Sequence, residues 1–251
     1  MKNYVVWTNC PINDTQENSK RLRMELCSNP KIREAYTTMC DLSRSSAKRY
    51  LQGEWEEIII TDPADTRVDV FRDNWKRIWD LWHNEPCNIL YLDSDTLFIK
   101  PTVMFGRFKE FRLFNNTDPK RNHMFNEYLN AGVRYYPSTM SEEVWQIGAE
   151  MAKNWNIGIW DQEQLIFNKM FWSQNVEDWH HPELNWQGMN LRNNDPDSLD
   201  YHKAKNKLEI AHAHILHFSG SRGAETTVDI MSAVHDLESD GYFTPKHQVP
   251  Q

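Results

Sequence analysis

Apolar and polar positions follow two rhythms along this chain, and the switches between them mark out its elements. Tyr4-Val5-Val6-Trp7 is a short apolar run closed by Thr8-Asn9-Cys10-Pro11, which predicts a buried strand ending in a polar turn. Residues 15 to 28 are charged, with apolar points at Leu22 and Leu26, and read as an amphipathic helix capped by Asp14 or Thr15. Residues 30 to 52 read as a further helix, weakened by the cluster Ser43-Arg44-Ser45-Ser46. Ile58-Ile59-Ile60, stopped by Thr61-Asp62-Pro63, predicts a second strand. From Val68 to Trp82 the apolar side chains Phe71, Trp75, Ile78, Trp79 and Trp82 recur at steps of three and four, the period of one helical face. Asn84-Glu85-Pro86 then leads into the apolar run Ile89-Leu90-Tyr91-Leu92. The order β-α-β-α-β implies a parallel sheet flanked by helices, with ligands bound beyond the carboxyl ends of its strands.

Past Pro101 the rhythm loosens. Phe105 to Phe114 is aromatic and basic, and Asn115 to Asn122 is polar. Gly132 permits a close backbone approach ahead of a strand over Val133 to Tyr136. Ser141 with Glu142 and Glu143 opens a helix reaching about Trp155, and Asp161 lies near the start of another that extends to Phe171. Residues 173 to 209 read as loops and short strands of a smaller lobe. Residues 210 to 219 read as a strand with His212 and His214 on one face and His217 on the other. The tail from Gly241 reads as loosely ordered.

At 251 residues the chain suits one large α/β domain, read here as residues 1–251. A composition of 39% hydrophobic and 25% charged residues is that of a soluble globular protein. No apolar run approaches the roughly 18 residues of a membrane span. Cys10, Cys27, Cys40 and Cys87 show neither a C-x-x-C pair nor zinc spacing. With a first apolar stretch too brief for a signal peptide, they read as reduced thiols of a cytoplasmic protein. The net charge of −8 argues against nucleic acid or an anionic membrane as partner. Eleven tryptophans are unusually many; most are expected in the core, with a few lining an acceptor groove, since aromatic faces also stack on sugar rings.

The chemistry concentrates in Asn88 to Pro101, where Asp93 and Asp95 interrupt two apolar runs. Two carboxylates one residue apart repel each other and resist desolvation, so they belong at a strand's carboxyl end, where a cation can hold both. Hard oxygen ligands suit Mg²⁺ or Mn²⁺ bridging to phosphate rather than zinc. A solvated turn is the plain alternative for so short a motif.

In these residues and three later landmarks the chain resembles the retaining glycosyltransferases of family 8, the group containing glycogenin and bacterial galactosyl- and glucosyltransferases. The D-x-D stands as Leu92-Asp-Ser-Asp-Thr-Leu-Phe98. The family's Asn-small-Gly-Val strand stands as Asn130-Ala-Gly-Val, followed by Pro137-Ser138. Its Asp-Gln helix start is Asp161-Gln162, and its late His-aromatic-x-Gly is His217-Phe-Ser-Gly220. The resemblance implies a GT-A fold, in which a Rossmann-like, mostly parallel sheet over residues 1–101 binds a nucleotide sugar and residues 102–240 form the acceptor half. It implies metal ligation by Asp93, Asp95 and His217. Donor contacts would come from Trp7, Thr8, Asn9, Arg67, Lys76, Asp93, Ser94, Asp95, Gly220 and Arg222, with Asn130, Asp161 and Gln162 around the transferred sugar. Trp179 and Trp186 fall in the stretch that shapes the acceptor side. One departure stands out, since the family's late motif continues to Lys-Pro-Trp and this chain reads Ser221-Arg222-Gly223-Ala224. Arg222 would then take over the lysine's contact with the diphosphate.

The expected activity is metal-dependent, anomer-retaining transfer of glucose or galactose from a UDP-sugar to a hydroxyl acceptor, a glycan in the first instance. The rivals are glucosylation of a modified nucleic-acid base, a catalytically silent sugar-nucleotide-binding protein, and phosphoester hydrolysis, which would need a second metal cluster.

Overall fold

The computed structural model describes residues 1–10, 29–63, 67–113, 131–153, 166–167, 214–218 and 224–239. The chain runs β1 (Lys2–Thr8), α1 (Pro30–Tyr50), β2 (Leu51–Gln52), β3 (Glu56–Ile60), α2 (Arg67–Asn84), β4 (Cys87–Leu92), β5 (Thr96–Phe98), β6 (Thr102–Val103), β7 (Arg112–Leu113), β8 (Val133–Tyr136), α3 (Glu142–Lys153), β9 (Ile215–His217) and α4 (Ala224–Ser239). The main sheet has the order β3-β1-β4-β8-β7. β1 pairs in parallel with β3 and β4, as the alternation of strands and helices requires, whereas β8 runs antiparallel to both β4 and β7. The result is an α/β fold with a mostly parallel sheet.

Strand alternation divides the core between the two sheet faces. Val6, Ile89, Tyr91 and Tyr136 turn to one face and meet Ile78 and Trp79 of α2 and Trp145 of α3. Val5, Trp7, Leu90 and Leu92 turn to the other and meet Cys40 and Ala47 of α1. A third cluster joins Met39 of α1 and Leu97 of β5 to Leu216 of β9 and Met231 of α4.

α1 starts where its chemistry allows. The Asn29 side chain accepts the Lys31 N–H at 3.0 Å, Pro30 occupies the first turn, where no donor is needed, and Lys48 and Arg49 face the carbonyl end. The cluster Ser43-Arg44-Ser45-Ser46 leaves the helix intact because three of its side chains find tertiary partners. Arg44 grips both Glu57 oxygens at 3.1 and 2.9 Å, and Ser43 and Ser46 are buried against β5. β9 is shorter than the strand expected over 210–219. His214 precedes it, its Nδ1 lying 3.0 Å from the Pro101 carbonyl and 3.2 Å from the Thr102 hydroxyl. The predicted helices at 15–28 and from Asp161, the lobe over 173–209 with Trp179 and Trp186, His212 and the tail from Gly241 lie outside the described residues. Among the described residues, no helix is long and apolar enough to cross a membrane.

Candidate metal centre

β4 ends at Leu92, and the chain leaves the sheet through Asp93-Ser94-Asp95 before turning into β5. Three hydrogen bonds hold this turn. The Asp93 N–H donates to the Gly132 carbonyl at 2.7 Å, the Ser94 hydroxyl to the Thr8 carbonyl at 2.9 Å, and the Thr96 hydroxyl to the Asp93 carbonyl at 2.8 Å. The turn is thus tied to the end of β1 on one side and to the approach to β8 on the other. β9 lies antiparallel to β5 with His217 opposite Thr96, and the Phe218 N–H donates to the Asp95 carbonyl at 2.9 Å.

This ladder brings an imidazole from far along the chain to the carboxylates. His217 Nε2 lies 3.2 Å from Asp95 Oδ1 and 3.7 Å from Asp93 Oδ2. The His217 side chain is 1% exposed, while those of Asp93 and Asp95 are 41% and 26% exposed. The imidazole therefore forms an inner wall, and the carboxylates open outward to where further ligands can enter. Burial alone would push the His217 pKa down, but the Asp95 charge and hydrogen bond, joined by the Asp93 charge, raise it above the ordinary 6.5.

Gly132 makes the close packing possible. A Cβ built there would fall 2.1 Å from His217 Cε1 and 2.8 Å from both His217 Nδ1 and Asp93 Oδ2. His217 Nδ1 is buried without a hydrogen-bond partner among the described residues, so the ring is held through Nε2 and by the close packing that Gly132 permits. The donor set suits a divalent ion. Two carboxylate oxygens and one imidazole nitrogen lie within 4.8 Å of one another, and the imidazole already faces both acids. Oxygen-rich ligation with one nitrogen fits Mn²⁺ or Mg²⁺ better than a thiolate-seeking ion.

The other predicted residues divide. The Thr8 hydroxyl, at the end of β1, accepts from Asn74 Nδ2 at 2.7 Å and from the Tyr91 hydroxyl at 3.2 Å. The Asn9 N–H donates to the Ile60 carbonyl at 2.9 Å. Thr8, Asn9, Ser94 and the carboxylates therefore share one sheet edge. Trp7 does not join them, because its side chain is wholly buried between the sheet and α1 and its indole N–H donates to the Ser43 hydroxyl at 2.9 Å. Lys76 sits on the solvent side of α2, paired with Asp80 one turn on. Helical geometry explains this, since residues two apart point about 200° from each other and it is Asn74 that faces Thr8. Asn74 went unnoticed in the sequence because a lone amide among tryptophans carries no periodic signal. Asn130, Asp161, Gln162, Gly220 and Arg222 lie outside the described residues, as does the Arg67 side chain. Cys10, Cys40 and Cys87 are free, and burial pushes each thiol up to about 11, which leaves no thiolate nucleophile among them at neutral pH.

No protein-family model matches the sequence, and no curated protein matches it. The fold does find counterparts among solved structures. The apo structure of WbbM, a bifunctional glycosyltransferase, is similar to this chain with a TM-score of 0.52 at 13% identity, over 96% of this chain and 51% of that one. The chain has a GT-A fold. The same GT-A neighbourhood includes the galactosyltransferase LgtC in complex with donor and acceptor sugar analogs, with a TM-score of 0.47 at 12% identity over 92% of this chain and 95% of LgtC. It also includes a glycosyltransferase involved in glycosylation of the major capsid of PBCV-1, with a TM-score of 0.48 at 10% identity over 93% of this chain and all of the other, 100%. This GT-A chain spans about half the length of WbbM and nearly all of the length of the other two.

Proposed function

We propose that this protein is a metal-dependent glycosyltransferase that moves a hexose, glucose or galactose, from a UDP-sugar to a hydroxyl of a glycan, with retention at the anomeric carbon as in family 8. The observation that carries this reading is the meeting of Asp93, Asp95 and His217 at the carboxyl edge of a parallel sheet. Asp93, Asp95 and His217 would hold Mn²⁺ or Mg²⁺, which when bound neutralises charge on the departing diphosphate. A diphosphate so stabilised needs no protein acid to leave.

The chain's own residues supply the rest. Thr8 and Asn9, beside the turn, would meet the nucleoside. Asn130, Asp161 and Gln162 would orient the transferred sugar, and the Arg222 guanidinium would reach the diphosphate in place of the family's lysine. The carboxylate-imidazole set also favours an active enzyme over a silent binding protein, and the net charge of −8 favours a glycan over nucleic acid as acceptor.

Hydrolysis of a panel of nucleotide sugars with Mn²⁺ tests the proposal. UDP-glucose or UDP-galactose should be cleaved, chelation should stop the reaction, and Asp95→Asn should abolish it while leaving the circular dichroism spectrum unchanged. Full activity of Asp95→Asn in the presence of chelator would refute the reading.

A further inference from the structure

Behind the D-x-D turn lies a line of buried polar side chains that the mechanism above does not use. Trp7, Ser43 and Thr96 are each wholly buried, in a core that includes Val5, Leu90, Leu92 and Phe98. They form a continuous path: Trp7 Nε1 to Ser43 Oγ at 2.9 Å, Ser43 Oγ to Thr96 Oγ1 at 3.0 Å, Thr96 Oγ1 to the Asp93 carbonyl at 2.8 Å.

Its direction follows from elementary bonding. An indole nitrogen can only donate, and a carbonyl oxygen can only accept. Thr96 has one hydroxyl hydrogen and gives it to Asp93, so the Ser43 hydrogen must go to Thr96, and Ser43 must accept from Trp7. Every donor then has one acceptor and the path admits no alternative polarity. Ser46 reinforces it from the next turn of α1, donating to the Ser43 carbonyl at 2.7 Å and accepting the Phe98 N–H at 3.0 Å.

We infer that Ser43 and Thr96 are positioning residues of the metal centre, holding the Asp93-Ser94-Asp95 turn in its ligating shape from inside the core. The inference rests on the metal reading of that site. Two carboxylates one residue apart repel each other, so the backbone that carries both needs a restraint from the core side. Thr96 provides it at both ends of the ligand set. Its hydroxyl closes the turn onto Asp93, and its backbone stands opposite His217 in the β5–β9 pair. Ser43 fixes the Thr96 hydroxyl from a helix that supplies none of the three candidate ligands.

The test is Mn²⁺ affinity, by calorimetry on the full chain without nucleotide, set against melting temperature. Thr96→Val keeps the shape and β-branching of the residue and removes the hydroxyl. It should weaken Mn²⁺ binding about tenfold, the size of one directed hydrogen bond. Thr96→Ser, which returns the hydroxyl, should restore wild-type affinity, and Ser43→Ala should weaken binding in the same direction as Thr96→Val. A merely structural role would lower the melting temperature and leave the affinity of the folded protein unmoved, and that result would overturn the inference while the metal reading stood. Failure of Thr96→Ser to restore affinity would also overturn it. A wild-type chain that binds no Mn²⁺ would overturn both.

Discussion

Gly132 shows how much of the candidate centre depends on single atoms. Its α-carbon faces the His217 ring where a methyl would come within 2.1 Å of Cε1, and the ring is buried, so it cannot swing away. Gly132→Ala is therefore expected to push the imidazole off the carboxylates and weaken Mn²⁺ binding more than tenfold, as read by calorimetry, with the melting temperature also lowered by the clash. An unchanged affinity would remove His217 from the ligand set. The raised pKa of His217 gives a second expectation. With no ion bound, the imidazolium pairs with Asp95 and Asp93, a stabilisation that is full below the ordinary 6.5 and lost as pH rises through the higher folded value. A cation must displace that proton, so Mn²⁺ affinity should fall as pH drops below the folded value, approaching tenfold per pH unit. Titrations from pH 5 to 8 check this, and His217→Gln should flatten the slope. The carboxylate pair was legible in the sequence because two acids between apolar runs form a local pattern. The place of His217 beside the carboxylates was legible only through family resemblance, since by alternation alone it is one of three histidines in a short stretch. Ser43, Asn74 and Thr96 were not legible, because a buried hydroxyl or amide is defined by partners distant in the chain, Trp7 and Thr8 among them.

At the level of elements, amphipathic period and strand composition recovered β1, β3, α2, β4, β8 and α3 nearly to their ends. α1 was weakened on paper by its serine cluster, since such side chains usually compete for the helix backbone. In the fold, the Ser43 hydroxyl meets Thr96 of β5, the Ser46 hydroxyl accepts the Phe98 N–H of β5 while donating back to the Ser43 carbonyl, and the helix runs on to Tyr50. Its start depends on Asn29, whose side chain satisfies one of the four unpaired N–H groups there. Asn29→Ala should cost about 1 kcal/mol. For a chain of this size that is a drop of about 2 to 4 °C in melting temperature, with Mn²⁺ binding unaffected in the folded protein. α4 was missed altogether. Its apolar points Val228, Met231 and Val234 stand three apart on one helical face, and what they cover, Met39 and Leu97, lies in other parts of the chain.

Across the whole molecule, β-α-β-α-β order foretold the parallel core of the sheet, yet nothing in the late chain announced that β9 would leave that sheet and pair with β5. This pairing is why an ion would act as a tie between early and late segments. At a concentration one hundred times its Kd, a native-state ligand adds about 2.7 kcal/mol. Saturating Mn²⁺ should therefore raise the melting temperature by roughly 5 to 10 °C, and Asp95→Asn should remove that rise. The same pairing has a consequence for how the protein comes into being. His217 follows Asp95 by about 120 residues, so at roughly 5 to 20 residues per second the ribosome releases it on the order of ten seconds later. Throughout that interval the nascent chain carries Asp93 and Asp95 without His217, and the three side chains cannot come together before the last of them has been translated.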